Sequence, residues 1–249
     1  MRLLRVRLIA TIFLALGCLA IESNVWAQEA LLVRVEPSGL VRVTRGGVEM
    51  AVIELNAHGP QWKHAPQDTA KAEVRELVEG MGRRVVGTMP VPNTDDGAIK
   101  FSEVVRLLGQ ALRLEYDVAV TKAMKLNGLQ VSILLPVDVY ADKEVLISHP
   151  DADPQGVTLP KQQRGEEFYV WGGEGARVEV AKGTAQAIAV ELLAPADIII
   201  YDLRRWERSE FEIRFPAIHE DQGYDVAAED VFHLDLQVSF AAPVKLQEP

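Results

Sequence analysis

Cysteine is almost absent from this chain of 249 residues, in which Cys18 is the only one. A single cysteine cannot form a disulfide within the chain, and it cannot supply a multi-cysteine metal site. An exported protein without disulfides must be stabilised by a proper apolar core. The part of the chain after residue 27 is long enough to build such a core, so we expect residues 28–249 to form a single domain.

Long apolar runs are also missing once the first 27 residues are passed, and we expect no membrane span there. The early run Leu8–Ile21 has about 14 residues, which is short for a membrane-spanning helix. It follows Arg2, Arg5 and Arg7, and small residues around Ala27 offer a cleavage point. These features predict a secretory signal peptide at residues 1–27, with an uncleaved anchor as the alternative.

Export to the periplasm or the medium is therefore the expected localisation. Cys18 follows Leu16-Gly17, a weak likeness to a lipoprotein processing site. Such sites usually carry leucine three positions before the cysteine, where this chain has Ala15. Lipid anchoring at Cys18 is the less favoured alternative.

Basic residues are outnumbered, with 26 Lys and Arg against 36 Asp and Glu. Nucleic-acid binding needs a basic face, so nucleic acid is not an expected partner. Sequence motifs for catalysis are missing as well. The chain has no Gly-x-Ser-x-Gly elbow, phosphate loop, His-Glu-x-x-His pair or dinucleotide fingerprint. We therefore predict no cofactor and no metal, and the sequence favours a protein that is not an enzyme without settling the point.

What the sequence does contain is a series of short alternating runs separated by turn residues. In Val231–Phe240, apolar side chains alternate with His233, Asp235, Gln237 and Ser239. Such alternation predicts a strand with one apolar and one polar face, and the polar face is either solvated, which we favour, or a ligand platform. About a dozen such runs predict an all-β fold: a large antiparallel β-sandwich with little helix.

Three stretches are less clear. Residues 69–91 fit either a helix or a hairpin, and the flanking strands favour the hairpin. Asn56–Asp68 and Ile218–Asp230 have little apolar patterning, so we predict loops there.

The loop at Asn56–Asp68 holds the densest group of functional side chains, including His58, Trp62 and His64. Histidine serves as a base or a ligand, and an indole can stack on a sugar ring. The charged, aromatic stretch Tyr201–Arg208 adds Arg204, which can grip polyols or acidic sugars, and Trp206. Trp62, His64, Arg204 and Trp206 are the predicted ligand-binding residues. Catalytic carboxylates such as Asp202, Glu207 or Glu212 cannot be paired from sequence alone.

The order of the later runs resembles the β-supersandwich domains of galactose-mutarotase-like type. The resemblance lies in Leu129–Tyr140 with its LLP strand end, in Tyr169–Val180, in Ile198–Trp206 with its YDLR strand and in the last alternating strand. It covers residues 30–240 and implies the fold and a carbohydrate context. No catalytic histidine or glutamate of true epimerases matches a position here, so no site is transferred.

Three hypotheses for the function follow. The leading one is an exported, non-catalytic, carbohydrate-associated protein that binds glycan on a sheet face or loop rim. The second is a lyase, hydrolase or epimerase acting on sugars, which uses His58 or His64 with a carboxylate and requires a deep pocket. The third is an envelope protein with a structural or protein-binding role.

Overall fold

The computed structural model describes residues 29–247, so the predicted signal peptide and Cys18 lie outside the described residues. The described part is built almost entirely from strands, and the predicted fold class is confirmed. The strands are β1 Leu31–Val35, β2 Val41–Arg45, β3 Val48–Gly59, β4 Lys63–Pro66, β5 Lys71–Glu76, β6 Gly82–Pro90, β7 Ala98–Leu108, β8 Ala111–Val120, β9 Met124–Pro136, β10 Glu144–His149, β11 Ala152–Thr158, β12 Tyr169–Val180, β13 Ile188–Asp202, β14 Glu210–Val226, β15 Val231–Phe240 and β16 Val244–Leu246.

Helix in residues 29–247 is limited to single turns. They are α1 Val137–Tyr140 and the 3₁₀ turns Pro60–Trp62, Gln67–Thr69, Val78–Gly80 and Leu203–Trp206. None of these is long and apolar enough to cross a membrane. At residues 69–91 the hairpin is confirmed, because β5 and β6 are antiparallel partners. Their pairing runs from Lys71 opposite Thr88 to Glu76 opposite Arg83.

Both predicted loops are wrong in their extent. At Asn56–Asp68, β3 continues to Gly59, turns at Pro60–Trp62 and returns as β4. At Ile218–Asp230, β14 runs on to Val226 with a register shift between His219 and Tyr224. Apolar patterning is weak in both stretches because their polar side chains point away from the core, some into a cavity described below and others, such as Glu220 and Gln222, into solvent.

One continuous sheet curls into the two layers of the sandwich. Its first half contains β16, β1, β2, β3, β9 and β14 in that order, and its second half contains β15, β8, β7, β6 and β5. The long strand β13 joins the halves, because Ile199–Asp202 pairs with β14 while Ile188–Leu192 pairs with β15. Strands that pass from one layer to the other in this way form the corners of a sandwich. In the described part of the chain, all the strand pairs are antiparallel except β1 with β16.

The main core lies between the layers and contains apolar side chains from both. Fully buried examples are Ile53 and Leu55 on β3, Phe101 on β7, Leu114 on β8 and Phe211 on β14. Each large apolar side chain buried in this way contributes about 1.5–3 kcal/mol to folding. A smaller apolar cluster lies on the opposite face of the first layer and consists of Leu40, Val52, Leu134, Ile199, Tyr201 and Leu203.

A buried polar bridge crosses the core between the layers. Gln67 accepts a hydrogen bond from the backbone N–H of Leu55 (2.7 Å). Leu55 lies between the part of β3 that pairs with β2 and the part that pairs with β4. The Gln67 amide donates to one Glu103 oxygen (2.8 Å), and the other Glu103 oxygen is hydrogen-bonded to the Tyr116 hydroxyl (3.0 Å). Gly39 has a φ of +98°, and a Cβ there would lie 2.5 Å from both Gln67 and Glu103. The bridge therefore requires glycine at this turn.

Burial raises the pKa of Glu103 from 4.5 to about 8, so the folded protein holds this carboxyl protonated at neutral pH. The folded state then binds one more proton than the unfolded state between pH 4.5 and 8. Stability falls with rising pH wherever the folded state binds more protons. The contribution of Glu103 is therefore fully present below pH 4.5 and is lost as the pH rises through about 8.

We expect the substitution Glu103→Gln to remove this pH dependence, because glutamine imitates the neutral acid and cannot ionise. The measurement is urea unfolding of both proteins at several pH values between 5 and 8. The free energy of unfolding of the wild type should decline relative to the variant by up to about 1.4 kcal/mol per pH unit. Parallel profiles for the two proteins would show that Glu103 is already ionised in the folded state.

Candidate functional site

Strand register places a row of polar side chains on the face of the first layer that points away from the main core. Residues paired across antiparallel strands project to the same side of a sheet. Glu54 pairs with Ser132, and Ser132 pairs with Arg214. The next rows follow the same register: Asn56 with Gln130, His58 with Gly128 and Gly128 with His219. We call these residues of β3, β9 and β14, together with the adjoining pair Glu212 of β14 and Tyr201 of β13, the polar floor.

One carboxylate of the floor has two polar neighbours. Glu212 is only 3% exposed, and one of its oxygens accepts a hydrogen bond from the Ser132 hydroxyl at 2.7 Å. Its other oxygen lies 2.8 Å from Nε of Arg214, although the N–H of that nitrogen does not point at it. The Arg214 guanidinium also lies over the Tyr201 ring, 4.6 Å from its centre. Charge on this carboxylate is therefore balanced inside the site.

One wall of the site is formed by the turn between β3 and β4. Trp62 contacts His58 and His219, with ring centres 5.4 and 4.8 Å apart, and its indole N–H donates to Asp221 at 3.2 Å. Gln61 and Trp62 both have positive φ values (63° and 56°), a conformation that non-glycine residues rarely adopt. Such backbone strain persists only where the surroundings enforce it, and it often marks binding sites.

A glycine makes room for this wall. A Cβ on Gly128 would lie 3.0 Å from the His58 ring and 3.2 Å from the indole of Trp62. Contacts this short are rare for a real Cβ, so a side chain at position 128 would push the indole away from the histidine. Gly128 thus allows Trp62 to lie directly above the polar floor.

The two histidines predicted from the sequence face each other across β3 and β4. His58 pairs with His64 in the strand register, and their rings stack with centres 5.0 Å apart. Burial lowers the pKa of His58 to about 3, and the positive charge of Arg214 adds to this effect. Burial within the concave site also lowers the pKa of His64, although solvent still reaches its ring. Both rings are therefore neutral near pH 7.

Hydrogen bonds fix the tautomer of His64. The Asn56 amide donates to Glu54 at 3.0 Å, so its oxygen is the atom that lies 2.8 Å from Nε2 of His64. An amide oxygen only accepts, and Nε2 must carry the proton. Nδ1 of the neutral His64 ring then keeps a free lone pair. Burial raises the pKa of Glu54, the residue that accepts the hydrogen bond from Asn56.

The opposite wall comes from the 3₁₀ turn that follows β13. This turn begins after Asp202, whose carboxylate accepts from the backbone N–H of Arg204 at 3.1 Å. It ends at Trp206, whose indole lies 4.9 Å from the ring of Phe168. Phe168 in turn lies 5.3 Å from Tyr201 on the floor. The second wall is thus aromatic, as is the first.

Between the walls lies a cavity of about 540 Å³, within the usual size range of small-molecule sites. Its charged lining consists of Arg208 and Arg214 with Glu212 and Asp221, so the formal charges cancel. The complete lining is His58, Trp62, His64, Phe168, Tyr201, Leu203, Trp206, Arg208, Glu212, Arg214, His219 and Asp221.

The structure brings three of the four predicted ligand-binding residues to this cavity, namely Trp62, His64 and Trp206. The fourth, Arg204, does not line it. The Arg204 guanidinium donates to both oxygens of Asp202 and to the backbone oxygens of Pro160 and Lys161, and it packs on the ring of Phe211. Its donors are used inside the fold.

Several other residues of the site are not among the four predicted ligand-binding residues. In β3, Glu54, Asn56 and His58 alternate with buried apolar residues, and this alternation was a usable signal. His219 and Asp221 gave none, because the register shift in β14 brings them to the site. The polar face of β15 lies elsewhere, and it carries contacts such as Asp235 with Arg113 across to β8. Among residues 29–247, no three His, Cys, Asp or Glu side chains are grouped to hold a metal.

Comparison with known proteins adds information on the fold. No family model matches this chain, and no curated protein matches it. A solved structure of a protein from Synechocystis sp. PCC 6803 is similar, with a TM-score of 0.51 and 11% sequence identity. The match covers 82% of this chain and 88% of that chain. At this identity the likeness concerns the fold alone.

Galactose-mutarotase-like structures also match. For a galactose mutarotase-like protein from Lactobacillus casei ATCC 334, the TM-score is 0.44, identity is 11%, and 84% of this chain and 99% of that chain are covered. For a galactose mutarotase related enzyme from Lactobacillus acidophilus, the values are 0.39, 11%, 88% and 100%. The resemblance that the sequence suggested is therefore confirmed, as a weak one.

Proposed function

We propose that this protein is a carbohydrate-associated β-sandwich protein that binds a neutral saccharide in the cavity between Trp62 and Trp206. The observation that carries the proposal is the position of two indoles on opposite walls above a polar floor. Indole faces suit the apolar C–H faces of sugar rings, and the polar groups suit their hydroxyls. Our sequence hypothesis placed the ligand on a sheet face or loop rim, and the cavity combines both.

Charge balance supports a neutral ligand. Arg214 is matched by Glu212 within 2.8 Å, and Arg208 lies 3.2 Å from Glu210. The positive charge of each arginine is thus balanced by a neighbouring carboxylate, which weakens its attraction for an anionic ligand. The two neutral histidines provide ring nitrogens that donate and accept hydrogen bonds, as sugar hydroxyls require.

We expect Trp62→Ala and Trp206→Ala each to weaken saccharide binding by about tenfold or more, through loss of a stacked ring. A glycan array with purified wild-type protein identifies the ligand, and isothermal titration then measures the affinity of each variant. Trp206 is half exposed, so its replacement should leave the melting temperature nearly unchanged.

Two further variants serve as controls. Tyr224→Ala removes an equally exposed aromatic ring that does not line the cavity, and its affinity should equal that of the wild type. Trp62→Phe keeps an aromatic surface in the strained turn and should retain part of the affinity. Absence of binding to every glycan tested, or equal affinities for all variants, would refute the proposal.

Export is part of the same proposal, and it rests on the sequence of the first 27 residues. We expect the mature protein to begin at Gln28. Amino-terminal sequencing of the protein from the exported fraction measures this directly. A mature chain that begins with an acylated Cys18 would instead establish lipid anchoring, and an intact Met1 in the cell would contradict cleavage.

A sugar-active enzyme is the second candidate, and the hydrogen bonds that link Glu54, Asn56 and His64 favour it. These bonds hold the Nε2 proton of His64 in place and leave Nδ1 free to accept a proton from a bound hydroxyl. Against it, the carboxylate on the floor is already held by Ser132 and Arg214, so Glu212 is a poor partner for acid–base chemistry.

We expect a sugar that binds to be released unchanged, with no cleavage and no faster exchange of anomers than in buffer. Proton NMR of the mixture over time measures both. Turnover that disappears in His64→Ala and persists in Tyr224→Ala would replace the binding proposal with the enzyme.

A further inference from the structure

Exposed aromatic rings continue outward from the cavity. Trp206, Phe168 and Tyr169 are 51%, 36% and 49% exposed. Phe168 and Trp206 line the cavity, whereas Tyr169 lies beyond its lining. Tyr201 connects them, because its ring centre is 5.3 Å from Phe168 and 6.0 Å from Tyr169. We call Trp206, Phe168 and Tyr169 the aromatic shelf.

The shelf is held in place by the backbone of β12 and β13. Tyr169 pairs with Tyr201 in the strand register, and the backbone N–H of Asp202 donates to the carbonyl of Phe168 at 2.7 Å. The Tyr169 ring lies against Gly172, where a Cβ would come within 1.9 Å of its hydroxyl. Glycine at position 172 therefore allows this ring to lie along the strand, on the same side as Tyr201. Because the Tyr169 ring is already packed on the strand, ordering it costs little when a ligand binds.

A single sugar unit between Trp62 and Trp206 would leave Tyr169 without a role. Isolated aromatic residues on a surface need no explanation, but three neighbouring rings that begin inside a polar cavity form a directional path. We therefore propose that the ligand is an oligosaccharide, with one end in the cavity and the next units on the aromatic shelf as far as Tyr169. This inference rests on the proposed function and adds the length of the ligand to it.

The experiment compares ligand length and the side chain at position 169. Isothermal titration is performed with malto-, cello- and xylo-oligosaccharides of one to six units, on wild type, Tyr169→Ala, Tyr169→Phe and the control Tyr224→Ala. For a series that binds, affinity should rise by roughly two- to tenfold for each ring newly covered. Tyr169→Ala should remove the last step of this rise and leave the affinity for the shortest ligand unchanged. Tyr169→Phe should restore the step.

The outcomes separate this inference from the proposed function. If short ligands bind and longer ones bind no better, the site takes a single unit, and only the inference fails. Only the inference fails, too, if affinity rises with ligand length equally in Tyr169→Ala and in the wild type. If no saccharide of any series binds, the proposed function fails and the inference fails with it. Melting temperatures of the variants identify any loss of folding, which is not expected for a half-exposed ring.

Discussion

The register of β3, β9 and β14 is the constraint on which both the core and the cavity depend. Side chains alternate between the two faces of a strand, so a slip of one residue would exchange the faces. Such a slip in β3 would turn Ile53 and Leu55 towards the cavity and Glu54 and Asn56 into the main core. The exchange would expose apolar side chains to water and would also bury polar groups that have no partner there. The packing of the core therefore enforces the position of the polar floor.

Burial of the polar floor is costly unless each group finds a partner. An unsatisfied buried polar group costs about 1–3 kcal/mol. Asn56 donates to Glu54 and accepts from His64, and Ser132 donates to Glu212. The charge of Arg214 lies beside Glu212, but its buried Nε–H has no hydrogen-bond partner. A ligand in the cavity can therefore form hydrogen bonds with only a few groups, chiefly the ring nitrogens of neutral histidines. A site of this kind selects by shape and hydrogen bonding rather than by net charge.

The sequence predicts strand and turn far better than it predicts the site. Alternation in Ala111–Val120 and Val231–Phe240 identifies strands because one face is apolar, and both are present as β8 and β15. It misleads at Asn56–Asp68, where a strand with a polar cavity face looks like a loop. The sequence predicts Trp62, His64 and Trp206 because their chemistry is distinctive, and the structure places all three at the cavity. Arg204 has equally distinctive chemistry. The structure shows that its guanidinium is already hydrogen-bonded to Asp202 and to two backbone carbonyls, which the sequence does not reveal.

The two aromatic walls differ in how firmly they are held, and this difference bears on recognition. Trp62 sits in a turn with positive φ at two residues, tied by its indole to Asp221, and Asn93 donates to the carbonyl of Pro60 in the same turn. Trp206 ends a 3₁₀ turn and is half exposed, with Phe168 as its aromatic neighbour. A fixed ring on one side lowers the entropy cost of binding, and a more exposed ring on the other can adjust its rotamer to the ligand. For the proposed saccharide, the Trp62 wall is therefore suited to select one face of the sugar ring, and the Trp206 wall is suited to accept variation in what is attached to it.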